Sequence, residues 1–348
     1  MISRQRAMAV FNGERPDRAP MWCGASPEFI AKAEKYLGVK DDEEVLRRFG
    51  DDFRRVFSRF CGPESFGTDS DGATTSVFGV KRAGIGYGQP TEHPLADAGL
   101  GEIEAYPWPD PNWYDVSHIK EDSELYEGRY AILGGEWSPF FHDAIDLLGM
   151  ENMMILMYDE PEKVDAVMKH IVDFYYEISR RTFDAAGDAI DISFIGNDFG
   201  SQTGPLVGPA QFGRFIAPHL KRFADLAHEH GKMIQLHCCG SIAPLIPTII
   251  SCGIDALQSL QPITPDMEPK RLLEAFGNRI VFNGCVDSVR VLINGTPELV
   301  EKETREVLET MSNGARFILS ASHDYILEET PVENILAMFD TGRDFMLK

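Results

Sequence analysis

The chain has 348 residues, 43% of them hydrophobic, 25% charged and 10% aromatic, a globular composition that excludes collagen-like, low-complexity and wholly disordered chains. Its 33 Lys and Arg against 55 Asp and Glu leave a formal net charge of −22, which argues against a nucleic-acid partner or an anionic membrane surface. Six irregularly spaced cysteines (Cys23, Cys61, Cys238, Cys239, Cys252 and Cys285) make no disulfide scaffold. They read as reduced thiols, and with no signal-peptide core and no apolar run of membrane-spanning length, a cytoplasmic protein is expected.

In chain order, Ala19–Cys23 is the first strand candidate. Residues 60–110 show no clear period and are expected as loops with room for a hairpin. Within them the proline-rich Tyr106–Pro111 reads as an extended strap lying on the body. Tyr130–Gly134 is the next strand candidate and Pro161–Ala186 a long helix. From about residue 190 the pattern becomes regular. Apolar runs of strand length at Ala189–Gly196, Lys232–His237, Ile254–Gln258, Arg279–Cys285 and Ala315–Ser320 alternate with helical segments at Pro209–His230, Pro244–Ser251, Glu268–Phe276, Pro297–Ser312 and Val332–Phe345. Seven strand candidates with helices between them, no long linker and no G-x-G-x-x-G after the first strand favour one α/β domain over 1–348. The expected architecture is a single (β/α)8 TIM barrel, not an open dinucleotide-binding sheet.

In such a barrel the chemistry lies at the C-terminal strand ends. The polar residues there are Asn197 and Asp198, His237 and Cys239, Gln258 and Gln261, Cys285 and Asp287, Ser322 and His323. The sharpest feature is Gln235-Leu236-His237-Cys238-Cys239-Gly240. Side chains two apart on a strand share a face, so His237 and Cys239 can converge while Cys238 turns away. Imidazole and thiolate suit zinc, and the late strands offer His323 and Cys285 as a third ligand. The competing reading is a buried thiol beside a hydrogen-bonded histidine. Asp198 can be a further ligand, a general base, or an orienter of His237. Glu136 is a similar strand-end carboxylate. Tyr87, Trp108, Trp137, Phe140 and Phe141 can line a pocket, although aromatic residues are more often core. His228 and His230, at a helix end before Gly231, read as surface residues complementing the helix dipole.

Several segments, taken in order over nearly the whole chain, resemble the uroporphyrinogen decarboxylase superfamily. They are Ser3–Arg6 with Asn12–Pro20, Asn197–Leu206 (like D-x-G-x-Q), His228–Gly231 (H-x-H-G), His237–Ser241 (H-x-C-G), Phe282–Asp287 and Thr330–Ile335. The resemblance implies the (β/α)8 barrel and two candidate chemistries. True uroporphyrinogen decarboxylases, the alternative reading, carry arginines after the first strand that grip substrate carboxylates; here that place reads Met21–Ser26, with no arginine. The cobamide-dependent methyltransferase branch holds zinc by H-x-C and a later cysteine. His237 and Cys239 match the first two, and His323 stands near the third, one residue out of register, with Cys285 its rival. This branch implies a zinc-dependent methyltransferase. It moves a methyl group between a small O-, N- or S-methyl substrate, or a thiol acceptor, and the cobalamin of a separate corrinoid protein. In that picture Asp198 orients the substrate or His237, Gln202 donates a hydrogen bond, and Glu136, Trp137 and Asn197 border the substrate. A homo-oligomer is compatible with all of this.

Overall fold

Apolar runs of strand length become barrel staves in the computed structural model, which describes residues 1–68, 73–84, 88–126, 128–312 and 316–347. Seven parallel strands neighbour one another in chain order: β1 (Phe53–Arg55), β2 (Ala131–Gly134), β3 (Ile192–Gly196), β4 (Met233–His237), β5 (Ala256–Leu260), β6 (Val281–Val286) and β7 (Phe317–Ala321). Residues 20–25 close the ring between β7 and β1. The Trp22 N–H donates to the Leu319 carbonyl, the Leu319 N–H to Pro20, and the Asp52 N–H to Met21. This first stave, expected at Ala19–Cys23, is present only as the isolated bridges Met21 to Leu319 and Ala25 to Ile326. The stave β1 was not anticipated, because two of its three residues are arginines and carry no apolar period.

The main helices are α1 (Ser3–Phe11), α2 (Phe140–Leu148), α3 (Pro161–Ala186), α4 (Ala217–Glu229), α5 (Ile246–Ser251), α6 (Pro269–Phe276), α7 (Pro297–Met311) and α8 (Val332–Asp344). The helix expected over Pro209–His230 is divided. A wider π turn at Phe212–Ile216 precedes α4, just before Pro218, whose missing N–H interrupts the regular ladder. The 60–110 region is more ordered than expected, with short antiparallel strands at Gly67–Thr68, Thr74–Thr75, Lys81–Ala83 and Gln89–Pro90. The strap is pinned as anticipated: the Tyr106 hydroxyl donates to the Phe78 carbonyl (2.7 Å), and the Trp108 ring stacks on His170 of α3 with centroids 4.6 Å apart. Tyr87 and Ala315 lie outside the described residues.

Alternation along the strands sorts the side chains. Ile195, Leu236, Leu257, Phe282 and Leu319 face the helices, each such burial stabilising the fold by roughly 1.5–3 kcal/mol. Inside the barrel, Trp22, Phe53, Leu133, Ile192, Phe194 and Val281 pack together, and Ala7, Val10 and Phe11 of α1 join them from below. Above this apolar floor the Asn283 amide donates to Gln235 (3.1 Å) and the Ser320 hydroxyl to Asn283 (2.7 Å). Near the same level β4 and β5 pair His237 directly with Gln258. Below, Asp52 accepts from Arg6 (2.9 Å), Arg18 (2.8 Å) and the Met21 N–H (2.8 Å), so the basic opening of the chain is anchored on one buried carboxylate. Among the described residues no helix is long and apolar enough to cross a membrane.

Candidate functional site

The chain leaves β4 at His237, and the i, i+2 spacing brings the Cys239 sulfur to 3.5 Å from His237 Nε2. Cys238 turns the other way, and its sulfur accepts the Phe199 N–H. Asp198, two residues beyond β3, completes the group: its Oδ1 lies 3.3 Å from His237 Nε2 and accepts the Cys239 N–H at 2.7 Å. The candidate ligand atoms of Asp198, His237 and Cys239 all lie within 4.8 Å of one another. Two facing glycines let the loops meet. A Cβ on Gly240, whose φ is +85°, would stand 2.6 Å from the Gly200 carbonyl carbon, and one on Gly200 would stand 2.6 Å from the Cys239 oxygen.

Outside this group, His237 Nδ1 lies 2.5 Å from Gln258 Oε1 and donates to it. The Gln258 amide nitrogen donates in turn to Asp324 (3.2 Å), which Arg55 holds at 2.9 Å. Burial opposes a charged imidazole, yet the Cys239 sulfur and the Asp198 carboxylate hold His237 well above its ordinary value. Burial also opposes ionisation of Asp198, but His237 and the Cys239 N–H keep its carboxyl well below the usual range. A metal ion would take the place of the proton on His237 Nε2, so that a nitrogen, a sulfur and an ionised oxygen face one point, a donor set that suits zinc.

Not every expected residue joins this group. Trp137 does border it: its ring centre is 5.3 Å from that of His237, and its edge lies over Gly196, where a Cβ would come within 1.9 Å of the indole. Asn197 spends its amide on the backbone, accepting from Phe141 (2.9 Å) and donating to Ser138 (3.0 Å), so it secures the start of α2. Glu136 accepts the Ser58 hydroxyl (2.8 Å), and burial raises its pKa. Neither proposed third ligand is in the cluster. Cys285 is 2% exposed within β6, and burial pushes its thiol up to about 12. The His323 Nδ1 lies 3.1 Å from the Tyr325 N–H. His323 and Gln202 instead line a cavity of about 290 Å³, shared with Gln261, Asp287, Ser288 and Ile326. His228 and His230 pair with Asp255 and Asp184, away from the cluster.

Four neighbours carried no assigned role in the sequence. Gln258 stood only among the strand-end polar residues; Ser259, Asp324 and His142 were not singled out. His142 of α2 approaches Asp198 Oδ2 to 3.9 Å, and burial lowers its pKa. The Ser259 hydroxyl lies 3.2 Å from the Cys239 sulfur and donates to the Ser322 carbonyl (3.1 Å), which links the cluster to the wall of the cavity. A larger depression of about 590 Å³, lined by Arg4, Lys120, Asp184 and Asp191, contains none of these residues.

Residues 116–345 match the family model described as Uroporphyrinogen decarboxylase (URO-D). A methylated-thiol–coenzyme M methyltransferase of Methanosarcina mazei is 26% identical over 285 residues, covering 80% of this chain and 71% of the relative. A methylcobamide:CoM methyltransferase, MtbA, of the same organism is 22% identical over 229 residues, covering 65% of this chain and 62% of that relative. The solved structure of a methyltransferase from Methanosarcina mazei superposes with a TM-score of 0.69 over 99% of both chains at 19% identity, a likeness of fold.

Proposed function

The chain belongs to the uroporphyrinogen decarboxylase family, and from that premise we propose that it is a zinc-dependent methyltransferase working with a corrinoid protein in the cytoplasm. It would exchange a methyl group between that protein and a small O-, N- or S-methyl compound or thiol. The observation that carries this reading is the convergence of His237, Cys239 and Asp198 within 4.8 Å at adjacent strand ends. The names of the methyltransferase relatives support the same direction.

The three residues fit a zinc ion: one nitrogen, one sulfur and one carboxylate, with the second nitrogen of His237 already engaged by Gln258. Bound there, zinc would supply Lewis acidity towards the heteroatom that gives up or receives the methyl group. The chain's own residues do the rest. His237 offers Nε2, and Asp198 remains ionised and accepting while it ties the Cys239 backbone to the β3 loop. Trp137 and Phe194, edge to face with centroids 5.0 Å apart, form an apolar wall beside His237. The cavity of about 290 Å³ offers room for a small reactant, with the Gln202 amide as a hydrogen-bond donor and His323 as a polar contact on its rim. The decarboxylase alternative lacks its anionic grip: Met21–Ser26 contains no arginine, and Arg55 on β1 is already paired with Asp324.

The test is metal content of the purified full-length chain together with methyl exchange between methylcobalamin and a panel of thiols and methylated amines or ethers. About one zinc per chain with methyl transfer is expected. A folded protein that stays metal-free after zinc reconstitution would overturn the reading.

A further inference from the structure

We infer that β5 is the positioning strand of this centre: consecutive residues Gln258 and Ser259 each hold one of its donors, Gln258 fixing the His237 ring and Ser259 the Cys239 sulfur. The inference rests on the metal reading above and deepens it.

In a regular strand, neighbours point to opposite faces, so one strand does not present two consecutive side chains to one site. The strand β5 departs from that rule. Its register against β6 shifts between Gln258 and Leu260, and Ser259 takes a φ of +76°. This is a bulge, the device by which sheets re-aim a side chain, often beside active sites. It leaves Gln258 Oε1 2.5 Å from His237 Nδ1 and Ser259 Oγ 3.2 Å from Cys239 Sγ, with both residues fully buried. A glycine would adopt a φ of +76° without strain, whereas a serine is held there against its preference. What serine adds is a hydroxyl, and that hydroxyl faces the sulfur.

Each of the two is also fastened on its far side. The Gln258 nitrogen donates to Asp324 (3.2 Å), whose carboxylate is gripped by Arg55 (2.9 Å). The Arg55 guanidinium lies 4.3 and 4.9 Å from the ring centres of Trp22 and Phe194. An amide bonded at both ends cannot flip, so its oxygen must face His237. Nδ1 then carries the hydrogen, and Nε2 is the nitrogen turned towards Cys239 and Asp198. Ser259 donates to the Ser322 carbonyl (3.1 Å), which fixes its hydroxyl oxygen 3.2 Å from the Cys239 sulfur. Supporting partners of this kind orient metal ligands and set affinity.

The experiment measures zinc affinity of the full-length chain by competition with a chromophoric chelator, alongside the visible spectrum of the cobalt(II)-substituted protein. Gln258→Met should bind zinc roughly 10- to 100-fold more weakly, and Gln258→Glu paired with Asp324→Asn, which restores an acceptor for Nδ1–H with an amide donor opposite it, should recover most of that loss. Ser259→Gly should weaken zinc binding several-fold and shift the sulfur-to-cobalt charge-transfer bands, with the melting temperature of the metal-free protein nearly unchanged. Folded Gln258→Met and Ser259→Gly proteins with wild-type zinc affinity and cobalt spectrum would overturn the inference while leaving the metal reading intact. A wild-type chain that binds no zinc would overturn both. Should Gln258→Met not fold, Ser259→Gly decides alone by the same two readouts.

Discussion

Cys239 and Cys285 stand at the C-terminal ends of two strands of the same barrel, and both looked like ligands. Their surroundings differ. Cys239 is half-buried, with His237 Nε2 at 3.5 Å, the Ser259 hydroxyl at 3.2 Å and its own N–H on Asp198. Cys285 sits in the wall of β6, where burial alone pushes the thiol up to about 12. A thiol becomes a ligand where donors and positive charge meet the thiolate; the same thiol among apolar neighbours is filler. The distinction depends on what faces the sulfur, and the strand that carries it does not decide the matter.

The largest effects should separate the two thiols outright. Cys239→Ala and His237→Ala should each take zinc from about one per chain to none and abolish methyl transfer. Cys285→Ala should keep its zinc and cost the fold roughly 1–2 kcal/mol in a denaturant titration. Metal retained in Cys239→Ala and lost in Cys285→Ala would invert the comparison. Next comes the loop contact that brings Asp198 to Cys239. Gly240→Ala puts a Cβ against backbone at 2.6 Å in a left-handed conformation, and should cost roughly 2–4 kcal/mol and weaken zinc binding as the loops part.

Asp51 extends the comparison to a carboxyl. Burial raises it to about 7, even with Arg54 nearby, just as burial raises Cys285. Between about pH 4 and 7 the folded carboxyl is protonated while the unfolded one is ionised. Folding therefore takes up a proton, and this group's contribution to stability falls as pH rises through that window. Asp51→Asn should remove that slope and stabilise the protein at pH 8 by on the order of 1–3 kcal/mol, read from chemical denaturation at several pH values. A slope unchanged in the variant would mean that Asp51 is ionised in the fold. The smallest effect is expected at His323. His323→Ala should leave zinc at about one per chain and raise KM for the small reactant a few-fold, because His323 lines the cavity and stands outside the cluster.

Much of the barrel was legible from residue 190 onward, where strands of five or six residues alternate with helices that open on or beside a proline. Thr296 caps α7, accepting the Leu299 N–H with Pro297 behind it. The first staves were harder. Residues 20–25 make only two bridges, and β1 has three residues; both depend on distant partners, Leu319 for one and the Ala131–Leu133 run for the other. In the site, His237 with Cys239 followed from period two, and Asp198 from its place after β3. The third donor could not be ranked, because a side chain beyond a strand end goes where its loop takes it: His323 turns to Tyr325, while Asp198 turns to Cys239. Gln258 and Ser259 were hidden for a different reason. A bulge breaks the very alternation by which strands are read.

The three α1 side chains that floor the barrel have a kinetic consequence. With Ala7, Val10 and Phe11 stoppering the lower end, the described residues leave the upper mouth of the barrel as the threshold a reactant crosses to reach His237. On the function proposed above, a small reactant and a bulky protein-borne cofactor share that threshold in sequence. Excess of the small reactant should therefore jam the exchange, and turnover should rise and then fall with its concentration.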